Sequence, residues 1–98
     1  MVMVIEIDGM KIKTMGDFHA AMAGVLDLGP YYRPNMAALW DILSTDIERP
    51  VRFIWRNSNQ SRAAMGKEVF DQVRDLLIRV QEQDEEFGEE EGFTVRFE

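Results

Sequence analysis

The sequence predicts an α/β fold, a small three-stranded parallel sheet packed by about four helices, and three observations carry that reading. Runs of β-branched and aromatic residues suited to strands occur at residues 2–7, 51–55 and 93–97. Each gap between them holds two segments of helical periodicity, and strands separated by helical pairs favour parallel pairing through right-handed crossovers. The length of 98 residues supplies apolar surface for one modest core, so residues 1–98 are expected to form a single domain.

In order along the chain, residues 2–7 read Val-Met-Val-Ile-Glu-Ile, nearly all apolar, as a strand covered on both faces would be. Asp8-Gly9 is a turn signal. Thr14 with Asp17 three residues later approximates a capping box, and Phe18, Met22, Val25 and Leu26 form a helical stripe up to about Leu28, where Gly29-Pro30 stops it. Pro34 suits the first position of a second helix, having no N–H to waste and a φ already helical. On that helix Met36, Leu39, Trp40 and Leu43 fall on the stripe that must be buried, while Ala37, Ala38, Asp41 and Thr45 point away from it. Pro50 precedes the middle strand, and residues 57–65 suit a short helix or turn. From Lys67 to about Gln83, Val69, Phe70, Val73, Leu76, Leu77 and Val80 recur at three and four, a strong amphipathic pattern. Phe93, Val95 and Phe97 alternate with Thr94 and Arg96 in a half-exposed last strand.

The net charge of −7 is unevenly placed. Glu82, Asp84, Glu85, Glu86, Glu89, Glu90 and Glu91 are seven of the eighteen acids, and the other eleven balance eleven Lys and Arg. An acidic loop at about 82–92 is expected, since like-charge repulsion disfavours helix throughout. Its field could steer a basic partner. Without a basic stripe to release counterions there is no case for nucleic-acid binding. The chain has no cysteine and no apolar run long enough to cross a membrane. Residues 1–7 lack the basic lead and cleavage site of a signal peptide. A cytoplasmic protein without disulfides is expected.

Catalytic chemistry finds little support. The single histidine, His19, has no Ser or Cys partner at a recognised spacing and reads as a helix-surface residue. Zinc ligands are lacking, the acidic run lacks the Asp/Asn spacing and central Gly of a calcium loop, and no glycine loop could cradle phosphate. No catalytic residue, metal, cofactor or small-molecule substrate is expected. Asp41 with Asp75 as general acid and base would lack a second group to bind a substrate.

The segment at residues 31–41, Tyr-Tyr-Arg-Pro-Asn-Met-Ala-Ala-Leu-Trp-Asp, is the most informative one. Short side chains around Asp41 let another surface come close and meet the carboxylate with little water between, a setting in which charge-assisted hydrogen bonds from arginine are strong. Tyr31, Tyr32, Asn35, Ala38, Leu39, Trp40 and Asp41, then Pro50, Trp55-Arg56, Gln60 and Ser61, together resemble the barstar family of intracellular ribonuclease inhibitors. The resemblance runs through nearly the whole chain, from Asp8-Gly9 and Asp17-Phe18-His19 onward. It implies the same three-stranded parallel sheet. It also implies that the double-tyrosine segment plugs the active site of a basic ribonuclease such as barnase, with Asp41 in the phosphate pocket. The contacts so implied are Tyr31, Tyr32, Asn35, Trp40, Asp41 and Ser44, with Asp75 as a further acidic one. Departures from the family's best-known member are Arg33 and Pro34 in place of Gly and Glu, and Ala37 in place of a second helix acid. These changes point to a differently charged partner, such as the ribonuclease toxin domain of a neighbouring system. The alternative is a non-catalytic interaction or regulatory module with a non-nuclease partner, because exposed aromatics suit many interfaces.

Overall fold

The computed structural model describes residues 2–28, 35–88 and 92–98. Its elements in chain order are β1 (Met3–Asp8), α1 (Met15–Leu26), α2 (Met36–Asp41), a π-helical segment (Ile42–Asp46), β2 (Val51–Arg56), α3 (Ser58–Met65), α4 (Lys67–Glu86) and β3 (Phe93–Phe97). The three strands form one parallel sheet in the order β1-β2-β3, with Ile5 opposite Phe53 and Phe53 opposite Val95. Four α-helices and a three-stranded parallel sheet match the architecture the sequence predicts.

The helices bury one face of the sheet. Ile5 and Ile7 from β1, Val51, Phe53 and Trp55 from β2, and Phe93 from β3 meet Phe18 and Met22 of α1, Leu39 of α2, and Phe70, Val73, Leu77 and Val80 of α4. Trp55 is the centre of this core. Its ring stacks on Phe18 at 5.3 Å and tilts against Phe70 at 5.2 Å. A fully buried indole needs a partner for its N–H. Nε1 donates to the Ser61 hydroxyl at 3.1 Å, and that hydroxyl donates to the Gly9 carbonyl at 3.0 Å. Gly9 itself lies against β2, where a Cβ would come within 2.0 Å of the Asn57 carbonyl oxygen, so no larger residue fits. Asp8, beside it, accepts hydrogen bonds from Asn57 Nδ2 and the Met10 N–H. Those two bonds, the Asn57 one foremost, hold its carboxyl below the usual carboxylate range.

The other sheet face is open. Val4 and Glu6 of β1, Arg52 and Arg56 of β2, and Thr94 and Arg96 of β3 are exposed, with Ile54 half-buried among them. The expectation that β1 is covered on both faces is therefore wrong. The strand buries only Ile5 and Ile7, while Val4 remains 52% exposed. Parallel sheets are usually covered on both faces, and the apolar run of β1 follows that habit although no helix among the described residues supplies the second layer.

Several boundaries move. Thr14 caps α1 through its side chain, accepting from the Asp17 N–H at 3.0 Å, while the Asp17 carboxylate reaches the Lys13 N–H rather than the cap residue itself. That helix ends at Leu26, two residues earlier than its stripe suggested. Asp27 takes the left-handed conformation that closes the end, with φ of 52°. Gly29-Pro30 lies outside the described residues. Val25, assigned to the buried stripe, is 40% exposed. His19, expected on the surface, is only 5% exposed and packs edge-on to Phe18 at 5.7 Å. Burial pushes its pKa below the ordinary histidine range. The segment at 57–65 is a helix, α3, entered from Asn57 in the left-handed region.

The first part of the acidic run, to Glu86, is helix and not the loop its charge suggested. Glu82, Asp84, Glu85 and Glu86 belong to α4, which ends at Glu86, and a turn follows at Phe87-Gly88. Glu89, Glu90 and Glu91 lie outside the described residues. Asp84 is buried and structural: Arg49 Nε donates to Oδ2 at 2.7 Å and the Phe93 N–H donates to the same oxygen at 2.6 Å. Arg49 also donates to the carbonyls of Ile47 and Ser44, and its guanidinium lies 5.9 Å from the Phe93 ring centre. One ion pair thus ties the end of the π-helical segment to α4 and to the first residue of β3.

Candidate functional site

The site is built on α2 and the π-helical segment, packed against α4. Asn35 caps α2, accepting from the Ala38 N–H at 2.7 Å through Oδ1. The helix therefore starts at Met36; Pro34, the start that the sequence suggested, lies outside the described residues. Leu39 and Leu43 are fully buried and fix the rotation of the helix. That rotation turns Ala37, Asp41 and Thr45 outward as exposed residues, with Ala38 half-buried beside them. The face anticipated for Asp41 is the one it occupies.

After Asp41 the backbone widens into the π-helical segment, where the Ile47 N–H reaches the Ile42 carbonyl at 3.2 Å. Thr45 bonds back to the Asp41 carbonyl through its hydroxyl. Such back-bonding competes with regular helix bonding, and single π turns recur at functional sites. Ser44 sits in this segment, half-buried, with its carbonyl held by Arg49.

Trp40 and Asp75 share a groove. It has a volume of about 340 Å³ and is lined by Met36, Ala37 and Trp40 from α2 and by Gln72, Asp75, Leu76 and Arg79 from α4. Trp40 is half-buried there with the Arg79 guanidinium 5.7 Å from its ring centre, a cation–π contact. The Asp75 carboxylate is 63% exposed and lies 3.8 Å from Arg74. Asp41 faces solvent outside the groove lining. Tyr31 and Tyr32 lie outside the described residues. Of the remaining candidates, Trp40 and Asp75 meet across the helix pair, Asp41 projects from the exposed face, and Asn35 and Ser44 mark the two ends of the same helical stretch.

Arg79 is the residue that sequence reasoning passed over. It stands four positions after Asp75, hence on the same face of α4, which is a signal the spacing carried. Its charge makes the groove bipolar, with Asp75 at one rim and a cation over the indole. Among the described residues, no three His, Cys, Asp or Glu side chains gather as a metal ion would need, and no helix is long and apolar enough to cross a membrane.

A family model described as Barstar (barnase inhibitor) matches residues 2–98. The chain belongs to the barstar family. Its match with a Bacillus subtilis (strain 168) protein named "Putative ribonuclease inhibitor YrdF" is 30% identical over 86 residues, covering 88% of this chain and 90% of that protein. The α2 surface, with its exposed acid and adjoining aromatic groove, is the part of this barstar-family chain on which partner recognition can be argued.

Proposed function

We propose that this barstar-family chain is a protein inhibitor, of the antitoxin or immunity type, that binds a basic ribonuclease in the cytoplasm and blocks its active site without itself catalysing a reaction. The observation that carries the reading is Asp41, exposed at the end of α2 and surrounded by Ala37, Ala38 and Thr45. Among the described residues, the side chains one helical turn away on this face are short, so a second surface can approach the carboxylate. A cationic phosphate-binding pocket would enclose it and satisfy it with arginine or lysine donors, as it would satisfy a substrate phosphate. Trp40 and the groove beside it supply apolar contact next to that charge, and Asp75 supplies a second acid on the neighbouring helix. Asn35 and Ser44 extend the contact along the helix, and Tyr31 and Tyr32 complete it from the preceding segment.

The chain's own charges bear on the choice of enzyme. Ala37 removes a carboxylate from the exposed face, and Arg79 adds a cation beside Trp40. A nuclease complementary to this surface carries one strongly basic pocket for Asp41 and a less basic or acidic rim opposite Arg79. The ribonuclease toxin domain encoded nearest to this chain is the first candidate. The test is competition. A mononucleotide that fills the phosphate pocket should displace the inhibitor from the nuclease, whereas unchanged binding at saturating nucleotide would place the contact away from the active site and overturn the reading.

A further inference from the structure

Among the described residues, five of the six large apolar side chains that are markedly exposed, Val2, Met3, Val4, Met10 and Val25, belong to the β1 and α1 side of the molecule. β1 is an edge of the sheet, and the opposite edge is β3, the strand packed with α4. The ladder begins with the Met3 N–H donating to the Pro50 carbonyl, and the Gly9 N–H reaches the Arg56 carbonyl beyond its end. In a parallel pair alternate residues bond to the neighbour, so Met3, Ile5 and Ile7 face β2 with their peptide groups. Those of Val4 and Glu6 face outward. Helix α1 does not cover them: an open groove of about 580 Å³ separates β1 from the small residues Ala20, Ala21 and Gly24. Nor does the edge carry a lysine, a proline or a bulge, the devices that usually prevent strand pairing.

We propose that β1 pairs with β1 of a second copy of this chain, antiparallel about a two-fold axis beside Ile5, joining two three-stranded sheets into one of six strands. The charges on the open sheet face select both the occupant and the register. Arg56 is paired with Glu6 and Glu98, and Arg96 with Glu98. Arg52, next to Val4 in the same row, has no ion-pair partner among the described residues. The outward peptide groups of Val4 and Glu6 can meet those of another β1 in three ways. Centring Val4 on Val4 leaves both Arg52 side chains without an acid, and centring Glu6 on Glu6 opposes like charges. Centring Ile5 on Ile5 sets Val4 opposite the second copy's Glu6. Arg52 then lies two strand spacings, about 9–10 Å, from that carboxylate, within reach over the small valine. Symmetry supplies the pair twice, as a closed isologous interface requires. The same register brings Val2 and Met3 under cover and keeps all helices on one side. The α2–α4 groove lies on the β3 side and stays open in both copies, so the pairing goes beyond the inhibitor reading and does not depend on it.

The experiment is light scattering during size exclusion, with the protein at about 100 μM because short edge interfaces are weak. Wild type should run at twice the 11.4 kDa of the chain. Val4→Pro removes an outward N–H that β2 does not use, and Val4→Lys places a charge on the edge, so each should give a monomer. Far-UV circular dichroism should show both still folded; two substitutions of opposite character keep the test valid if one unfolds. Arg52→Glu should weaken the dimer at least tenfold. A wild-type monomer at that concentration, a dimer that survives both Val4 substitutions, or one indifferent to Arg52→Glu would each overturn the proposal.

Discussion

At the scale of single residues, two carboxylates of similar sequence standing have opposite fates. Asp41 is exposed and makes no ion pair among the described residues, so in the proposed complex its value lies in what it meets on binding. Replacing it with Ala should weaken nuclease binding by about 2 kcal/mol or more, as for a hot-spot charge desolvated at an interface centre. The thermal unfolding midpoint should hardly move, because surface substitutions usually stay within about 0.5 kcal/mol; calorimetric titration beside a melting curve separates the two effects. Asp84 is the reverse case. With Arg49 and Asp84 side chains only 15% and 11% exposed, removing either partner strands a buried charge. Asp84→Ala should cost about 3–5 kcal/mol in urea unfolding. A loss below about 1 kcal/mol would show that the pair is solvated in solution. His19 adds a pH dependence. Its folded pKa is depressed by burial, so the unfolded chain takes up the proton first, and stability is full above the ordinary histidine pKa of about 6.5 and falls as the pH drops below it. Unfolding midpoints measured from neutral pH down to about 5.5 should fall for wild type and flatten for His19→Gln.

At the scale of elements, the alternation of Arg52, Ile54 and Arg56 against Val51, Phe53 and Trp55, and the three-and-four spacing in α4, dictate which faces are buried, and the structure buries those faces. Periodicity reports a face only where one side is wet and the other dry. It misleads for β1, whose apolar side chains lie on both faces although the helices cover one. It also misses His19, because a lone histidine on an apolar flank has the same local pattern whether it is covered or not. The rotation of α2, and with it the exposure of Asp41, was legible from Leu39 and Leu43. The π-helical segment was not, since a widened turn depends on how the chain must reach Pro50 and on the Thr45 back-bond, not on a periodic signal. Composition likewise could not distinguish Asp84 from its neighbours. Only the i,i+3 and i,i+4 geometry of α4 puts it on the same flank as Val80 and Leu77.

At the scale of the whole molecule, charge and shape divide the labour of recognition in the proposed complex. Glu82, Glu85 and Glu86 are exposed in the last turns of α4, where they oppose the helix dipole and so bring no stability of their own. Their field extends about 8–10 Å at physiological salt, and charges at the rim of an interface act chiefly on encounter. Changing these three to Gln, with Asp84 left intact, should slow association at low salt, leave dissociation nearly unchanged and raise the melting temperature slightly. Stopped-flow traces across a salt series read the first two directly. A change in dissociation instead would put these acids inside the contact. The proposal that the α2 face of this barstar-family chain occludes a ribonuclease active site is met most directly by titrating the protein into the basic ribonuclease it is proposed to block during hydrolysis of a dinucleotide substrate. The rate should fall linearly and reach zero at one chain per enzyme, with Asp41→Ala failing to inhibit at the same concentrations. Full nuclease activity at saturating wild-type protein, or equal inhibition by wild type and Asp41→Ala, would contradict it.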